Sequence, residues 1–192
     1  PFLSNFELGP KKLKSPSSKT PKSSFSLQNS NFSSTENLFV LGNLITAEDV
    51  SQGALGNCWF VGSLSSVLSV APRLIKRLFR DERSRTGSVN EYGAYVVRYC
   101  EGGRWVENVI DDLFPCAQIP TMEKGFLAFS GARGNKLFVP LLEKLLAKNR
   151  GCYEHIEGGR PGEGLRIFTG WPTMVLHLQY SAQTDHDINR AL

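Results

Sequence analysis

The stretch Gln52-Gly-Ala-Leu-Gly-Asn-Cys58-Trp59, followed by Phe60-Val-Gly-Ser-Leu-Ser-Ser-Val-Leu68, decides the fold of this chain. Apolar residues recur at helical spacing in its second part, which predicts a buried helix that starts near Cys58. Gly53 and Gly56 allow the preceding backbone to turn sharply and to approach other groups closely. The sequence therefore places a cysteine in the first turn of a core helix, directly after a glycine-rich loop.

A cysteine in this position has two interpretations. The unpaired N–H groups and the positive dipole end at a helix start favour the thiolate, which is the nucleophilic form. Gln52 can aim an amide N–H at the oxyanion that forms when a thiolate attacks a carbonyl. Cysteine is also among the most often buried residue types, so an amphipathic helix that carries Cys58 beside Trp59 needs no catalytic explanation.

The surrounding sequence predicts an α+β fold, because separate helices flank a small antiparallel pair of strands. Pro72 can start a second helix, and a third is expected to end near Gly151 with Pro140 in its first turn. The apolar face of the second helix is predicted to be Leu74, Ile75, Leu78 and Phe79, and that of the third to run from Leu137 to Leu146. Strands are predicted over Tyr95–Tyr99 and Arg104–Ile110, joined by Gly102-Gly103. Asp111-Asp112 is expected to cap a turn rather than to act in chemistry.

The order of Gln, glycine-rich turn, Cys and Trp resembles the nucleophile segment of papain-like cysteine proteases. It is most similar to the calpains, whose motif reads Gln-Gly-x-x-Gly-Asp-Cys-Trp; Asn57 in place of Asp is the departure. Later segments resemble further calpain blocks in the same order, and five ordered blocks are far less subject to chance than one short motif. These later segments are Gly103–Pro115, Leu141–Lys148, Gly151–Gly159 and Gly162–Gly170.

The resemblance implies an intracellular calpain-type cysteine endopeptidase that acts on proteins or peptides. Cys58 would attack the scissile carbonyl, and Gln52 with the Cys58 backbone N–H would hold the oxyanion. Residues 37–192 would form the N-terminal, nucleophile-bearing half of the protease core. The resemblance also places Gly158 and Gly159 where calpains bind the substrate backbone on the unprimed side, although glycines at these positions are compatible with an ordinary loop.

The base of such a protease is the largest gap in the sequence. A thiol protease needs a histidine and a third polar group that fixes the imidazole. None of His155, His177 and His186 has the sequence surroundings of the calpain catalytic histidine, and His177 is expected to be structural. In calpains the histidine and its asparagine belong to the second half of the core, which we expect beyond Leu192. The alternative is a catalytically inactive, calpain-like binding or regulatory module.

Calcium is the cofactor that the resemblance implies, with Asp49, nine residues before Cys58, as a ligand. The acidic ligand that calpains carry at the start of the third helix aligns with Lys136, whose ammonium cannot coordinate a cation that requires several oxygens. The sequence therefore predicts weak or absent calcium binding. Lys136 is expected either to pair with Asp49 in place of the ion or to be an exposed lysine without a partner.

The charge of the chain is concentrated in its first residues. The formal net charge is +4, and the Ser/Pro/Lys-rich tail 1–36 holds five Lys and two Glu. We expect this tail to be disordered and the nearly neutral remainder not to bind nucleic acid. Four cysteines without a Cys-x-x-Cys pair or a leader indicate reduced thiols and a cytoplasmic protein. No apolar run is long enough for a transmembrane segment.

Overall fold

The computed structural model describes residues 24–25, 38–81, 84, 89–117 and 126–176. Within these residues helices pack beside small antiparallel sheets, so the predicted α+β class is confirmed. Short 3₁₀ turns cover Ala47–Asp49 and Glu154–Ile156. The helices and strands are β1 Ser24–Phe25, β2 Val50–Ser51, α1 Cys58–Val70, α2 Pro72–Lys76, β3 Ala94–Glu101, β4 Arg104–Asp111, β5 Phe114–Ala117, β6 Phe126–Leu127, β7 Gly131–Ala132, α3 Phe138–Arg150 and α4 Pro161–Thr169.

Helix α1 is the centre of the hydrophobic core and starts at Cys58, as predicted. Seven of its residues are buried. The ring centroids of Phe60 and of Phe168 on α4 lie 5.3 Å apart. The two helices approach closely because Gly164 has no side chain: a Cβ there would lie 2.5 Å from Ser63 Oγ and 2.7 Å from Ser63 Cβ. Burial of the apolar face of α1 is the main stabilising contribution in this part of the chain.

Helix α2 is shorter than its apolar pattern predicts. It ends at Lys76, whereas Leu78 and Phe79 were expected on its apolar face. Both side chains are buried, but the backbone there pairs with β3: the Arg80 N–H donates to the Val96 carbonyl, and the Arg98 N–H donates to that of Leu78. Hydrogen bonds to a strand edge therefore replace the continued helical turn.

The β3–β4 hairpin follows the prediction closely. Glu101 pairs with Arg104 across a turn in which Gly102 and Gly103 have φ of +54° and +79°, a conformation that favours glycine. At the far end of β4, Asp111 Oδ1 accepts a hydrogen bond of 2.9 Å from the Leu113 N–H. The expected turn-capping role of Asp111 is therefore confirmed.

Helix α3 supplies the opposite wall of the core. Pro140 lies in its first turn, as expected, and Gly151 ends it with a φ of +98°. Its buried face is apolar except for Glu143, which is only 1% exposed. A carboxyl group at this depth requires hydrogen-bond partners, and Glu143 has them in Asn57 before α1 and in the Ser130 N–H before β7.

Part of the expected tail makes backbone contacts with the folded residues. Ser24 pairs with Pro115 and Phe25 with Phe114, so that β1, β5 and β6 form one antiparallel sheet. Disorder over the rest of residues 1–36 stays a prediction, because they lie outside the described residues, as do His177 and His186. Among the helices that the structure describes, none has the length and apolar character needed to cross a membrane.

The close crossing of α1 and α4 gives a test of the fold. We expect Gly164→Ala to lower the free energy of unfolding by about 1 to 2 kcal/mol, because overpacking outweighs the gain in helix propensity. Gly62→Ala is the matched control: Gly62 lies in α1 with no atom within 4 Å of an added Cβ, and we expect about 0.5 to 1 kcal/mol of stabilisation. Urea unfolding measures both free energies. Equal stabilisation by the two substitutions would contradict the close approach of α1 and α4 at Gly164.

Candidate active site

Cys58 is the first residue of α1 and is exposed, although the apolar face of the helix behind it is buried. The N–H groups of Phe60 and Val61 donate to the Asn57 carbonyl at 2.9 and 3.2 Å. The N–H groups ahead of them have no partner inside the helix, and they lie at its positive end. This position presents a sulfur to solvent beside backbone donors that can bind an anion.

The backbone of the loop before Cys58 packs against the backbone of Ala128 and Phe129. The Ala54 N–H donates to the Ala128 carbonyl at 3.2 Å, and a Cβ on Gly53 would lie 2.2 Å from the Phe129 carbonyl. Gln52 is exposed, and its Nε2 donates to the Leu55 carbonyl at 3.0 Å. A side-chain amide carries two hydrogens, so one remains available for another acceptor.

The structure brings Gly158 and Gly159 against the segment that carries Cys58. The Gly158 N–H donates to the Gly56 carbonyl at 2.9 Å, and Trp59 Nε1 donates to the Ile156 carbonyl at 3.0 Å. A Cβ on Gly159 would lie 2.4 Å from the Trp59 ring. Both glycines are exposed, so another chain can approach their backbone beside the loop that carries Cys58.

His155 is held at the end of α3. Its Nδ1 lies 2.7 Å from the Arg150 carbonyl, and because a carbonyl can only accept, Nδ1 donates the hydrogen bond. The ring also lies over Gly151, which ends the helix. The contacts of His155 therefore stabilise a helix terminus.

Asp49 and Lys136 form an ion pair. Lys136 Nζ lies 2.7 Å from Asp49 Oδ1, and the two side chains are 17% and 13% exposed. Asp49 Oδ2 accepts from the Thr46 N–H at 2.8 Å, so both carboxylate oxygens have partners. The stem of Lys136 lies over Gly42, with Cε 3.5 Å from the position of an added Cβ. The pairing expected from the sequence is confirmed over the alternative of an unpartnered lysine.

Glu143 is a residue of this region that the sequence analysis missed. Asn57 Nδ2 donates to its Oε1 at 2.6 Å, and the Ser130 N–H donates to its Oε2 at 3.0 Å. One carboxyl group thus connects α3 to the residue before Cys58 and to the segment on which the Gly53 loop lies. A charged residue within an apolar helical face is the sequence signal that indicates such a buried contact.

Known proteins resemble this chain over most of its length. A family model described as calpain family cysteine protease matches residues 4–192. The Calpain-2 catalytic subunit of Mus musculus is 35% identical over 132 residues, which cover 69% of this chain and 18% of the mouse protein. The Calpain-type cysteine protease DEK1 of Arabidopsis thaliana is 38% identical over 141 residues, which cover 73% of this chain and 6% of the plant protein.

A third relative gives the same result. The Calpain-type cysteine protease ADL1 of Oryza sativa subsp. japonica is 39% identical over 127 residues, which cover 66% of this chain and 5% of the rice protein. The matched part of the chain therefore spans 18% or less of the length of each of these three relatives.

The buried Glu143 predicts a pH dependence of stability. Burial raises the pKa of this carboxyl group, and the hydrogen bonds from Ser130 and Asn57 offset only part of the rise. The native state then keeps a proton that the unfolded state releases, so the contribution of Glu143 to stability falls as pH rises above about 4.5. We expect the free energy of unfolding of Glu143→Gln, relative to that of the wild type, to increase over this range in urea titrations. Glu157→Gln, at an exposed carboxyl group, gives the baseline.

Proposed function

Since the chain belongs to the calpain family of cysteine proteases, we propose that it forms the nucleophile-bearing part of an active cysteine endopeptidase core. One observation supports this most strongly: an exposed Cys58 starts a largely buried helix directly after the Gln52 loop, and the exposed Gly158-Gly159 backbone binds that loop. A cysteine that only filled the core would not need this exposure.

The proposed chemistry uses each of these groups. The Cys58 thiolate attacks the carbonyl carbon of a peptide bond, and the oxyanion accepts hydrogen bonds from the Cys58 backbone N–H and from Gln52 Nε2. The amine leaves with a proton from an imidazolium, and water then releases the acyl group from the sulfur. The substrate lies extended along Gly158 and Gly159 and binds their backbone groups other than the Gly158 N–H, which already donates to Gly56.

We propose that the imidazole belongs to a part of the protein outside residues 1–192. His155, the one histidine among the described residues, donates through Nδ1 to the Arg150 carbonyl and holds a helix end. We propose that a further part of the protein supplies the histidine, together with an asparagine that orients it. Proteins or peptides of the cytoplasm would then be the substrates.

Calcium does not fit the residues around Asp49, and we propose that this region works without it. A calcium ion requires six to eight oxygen ligands, whereas Asp49 Oδ1 contacts the Lys136 ammonium, which would repel a divalent cation. Across the described residues, no group of three or more His, Cys, Asp or Glu side chains is arranged to hold a metal ion. A tethered positive charge then neutralises Asp49 in place of an ion.

The nucleophile is tested with the full-length protein and its own peptidase activity. We expect Cys58→Ala to abolish peptide cleavage, and Gln52→Ala to lower kcat by about 100-fold because one oxyanion donor is lost. Cys152→Ser, at a half-buried thiol elsewhere, is the matched control and keeps activity. Cleavage that survives Cys58→Ala would sink the assignment, and a wild type without turnover would favour the inactive binding module.

Calcium binding is tested by titration calorimetry of the wild-type chain beside Lys136→Glu. We expect no binding at millimolar calcium by the wild type, because an ammonium group replaces an oxygen ligand. Binding that appears only in Lys136→Glu would support the remaining oxygens as ligands. Lys144→Glu, which removes another lysine that pairs with an aspartate, controls for the change in net charge. Tight binding by the wild type would refute the proposal.

A further inference from the structure

Asn57 lies directly before α1, where an asparagine side chain ordinarily accepts a hydrogen bond from the helix backbone. It is the N-cap of α1, and asparagine is among the residues that cap helices best, by accepting a hydrogen bond from the second or third N–H of the helix. The Asn57 side chain makes no such bond. It points into the core and donates to Glu143 instead.

This orientation has a cost in free energy. The loss of a side-chain cap destabilises a helix. Asn57 Oδ1 is also buried and accepts no hydrogen bond from any described residue, and a buried acceptor without a partner is a further cost in free energy. Both costs would vanish if the side chain turned to the helix start, so a specific contact must hold it in the core.

The contact that holds it is the carboxyl group of Glu143. Its Oε1 lies 2.6 Å from Asn57 Nδ2, and neither residue is more than 1% exposed. Glu143 is fixed in turn by its place on α3 and by the Ser130 N–H. A hydrogen bond to a buried acceptor that cannot move is strong enough to compete with a cap at the surface.

We propose that Glu143 is a positioning residue for the nucleophile: it holds the Asn57 side chain away from the start of α1, so that the first-turn N–H groups stay available to the thiolate and the oxyanion. This inference rests on the proposed protease function. An Asn57 side chain turned to the helix start would place a partly negative oxygen beside Cys58. That oxygen would oppose both negative charges of the reaction.

Two substitutions at Glu143 in the full-length protein test the role. Glu143→Met keeps the volume but removes the acceptor, and we expect kcat to fall by about tenfold or more with KM little changed, since an anion site at a helix start is weakened. Glu143→Gln keeps an oxygen for Asn57 Nδ2 and should restore most of kcat. A structural role alone would lower stability and activity together, so thermal unfolding is measured on each variant. An equal loss of kcat in both variants, or no loss of kcat in Glu143→Met, would overturn the proposal.

Matched substitutions at Asn57 test the same idea from the other partner and leave the buried carboxyl group in place. Serine caps helices well but is too short to reach Glu143, whereas alanine cannot cap. We therefore expect the kcat of Asn57→Ser to be about tenfold lower than that of Asn57→Ala, although serine caps α1 better. In the Asn57→Ala background, Glu143→Met should change kcat less than twofold. A lower kcat for Asn57→Ala than for Asn57→Ser would refute the role. So would a fall of about tenfold in kcat when Glu143→Met is added to Asn57→Ala.

A readout without turnover separates this inference from the proposed function. The rate at which iodoacetamide alkylates Cys58, followed by peptide mass spectrometry from pH 5 to pH 9, reports thiolate formation directly. We expect the pH profile to move to higher pH in Glu143→Met and Asn57→Ser and to stay near the wild-type profile in Glu143→Gln. If the wild type cleaves no peptide but the profiles move in this way, the positioning role stands and the protease function falls. Profiles that coincide in all variants would overturn the role whatever the activity.

Discussion

The structure depends on one constraint: α1 must bury its apolar face in the core and yet present its first residue to solvent. Contacts from three separate segments hold the residues around the start of α1. Gly53 lies on the Phe129 backbone, the Gly158 N–H binds the Gly56 carbonyl, and Asn57 binds Glu143. Because these contacts involve backbone or fully buried groups, they hold the loop without placing side chains in front of Cys58. The exposed sulfur is therefore on a rigid element, which a positioned nucleophile requires.

The Asp49–Lys136 pair has a different physical character from a bound ion. An ion that binds from solution contributes according to its concentration, whereas a lysine is tethered to the chain. Its attraction to Asp49 is present whenever the two segments are folded, and partial burial reduces screening by salt. The segment before β2 and the turn before α3 are thus joined by a permanent contact, with the backbone pairing of Phe39 and Lys136 beside it.

The sequence predicted the parts of this structure that depend on local patterns. Helical spacing placed α1 and α3, two adjacent glycines placed the β3–β4 turn, and the resemblance to calpains brought Asp49 and Lys136 together. The end of α2 could not be predicted, because Leu78 and Phe79 fit a helix equally well until β3 offers backbone partners. Glu143 was missed for the same reason, since its partners lie 86 and 13 residues away in the chain.

The one departure from the calpain nucleophile motif now has a physical explanation. An ionised aspartate at position 57 could only accept hydrogen bonds, and beside the buried Glu143 carboxyl group one of the two acids would have to keep a proton. Asn57 donates through Nδ2 at any pH, so the contact at 2.6 Å survives when Glu143 ionises. The amide thereby removes a titration from the residue next to Cys58. In this chain the orientation of the helix start is consequently decoupled from the protonation of the acid that holds it.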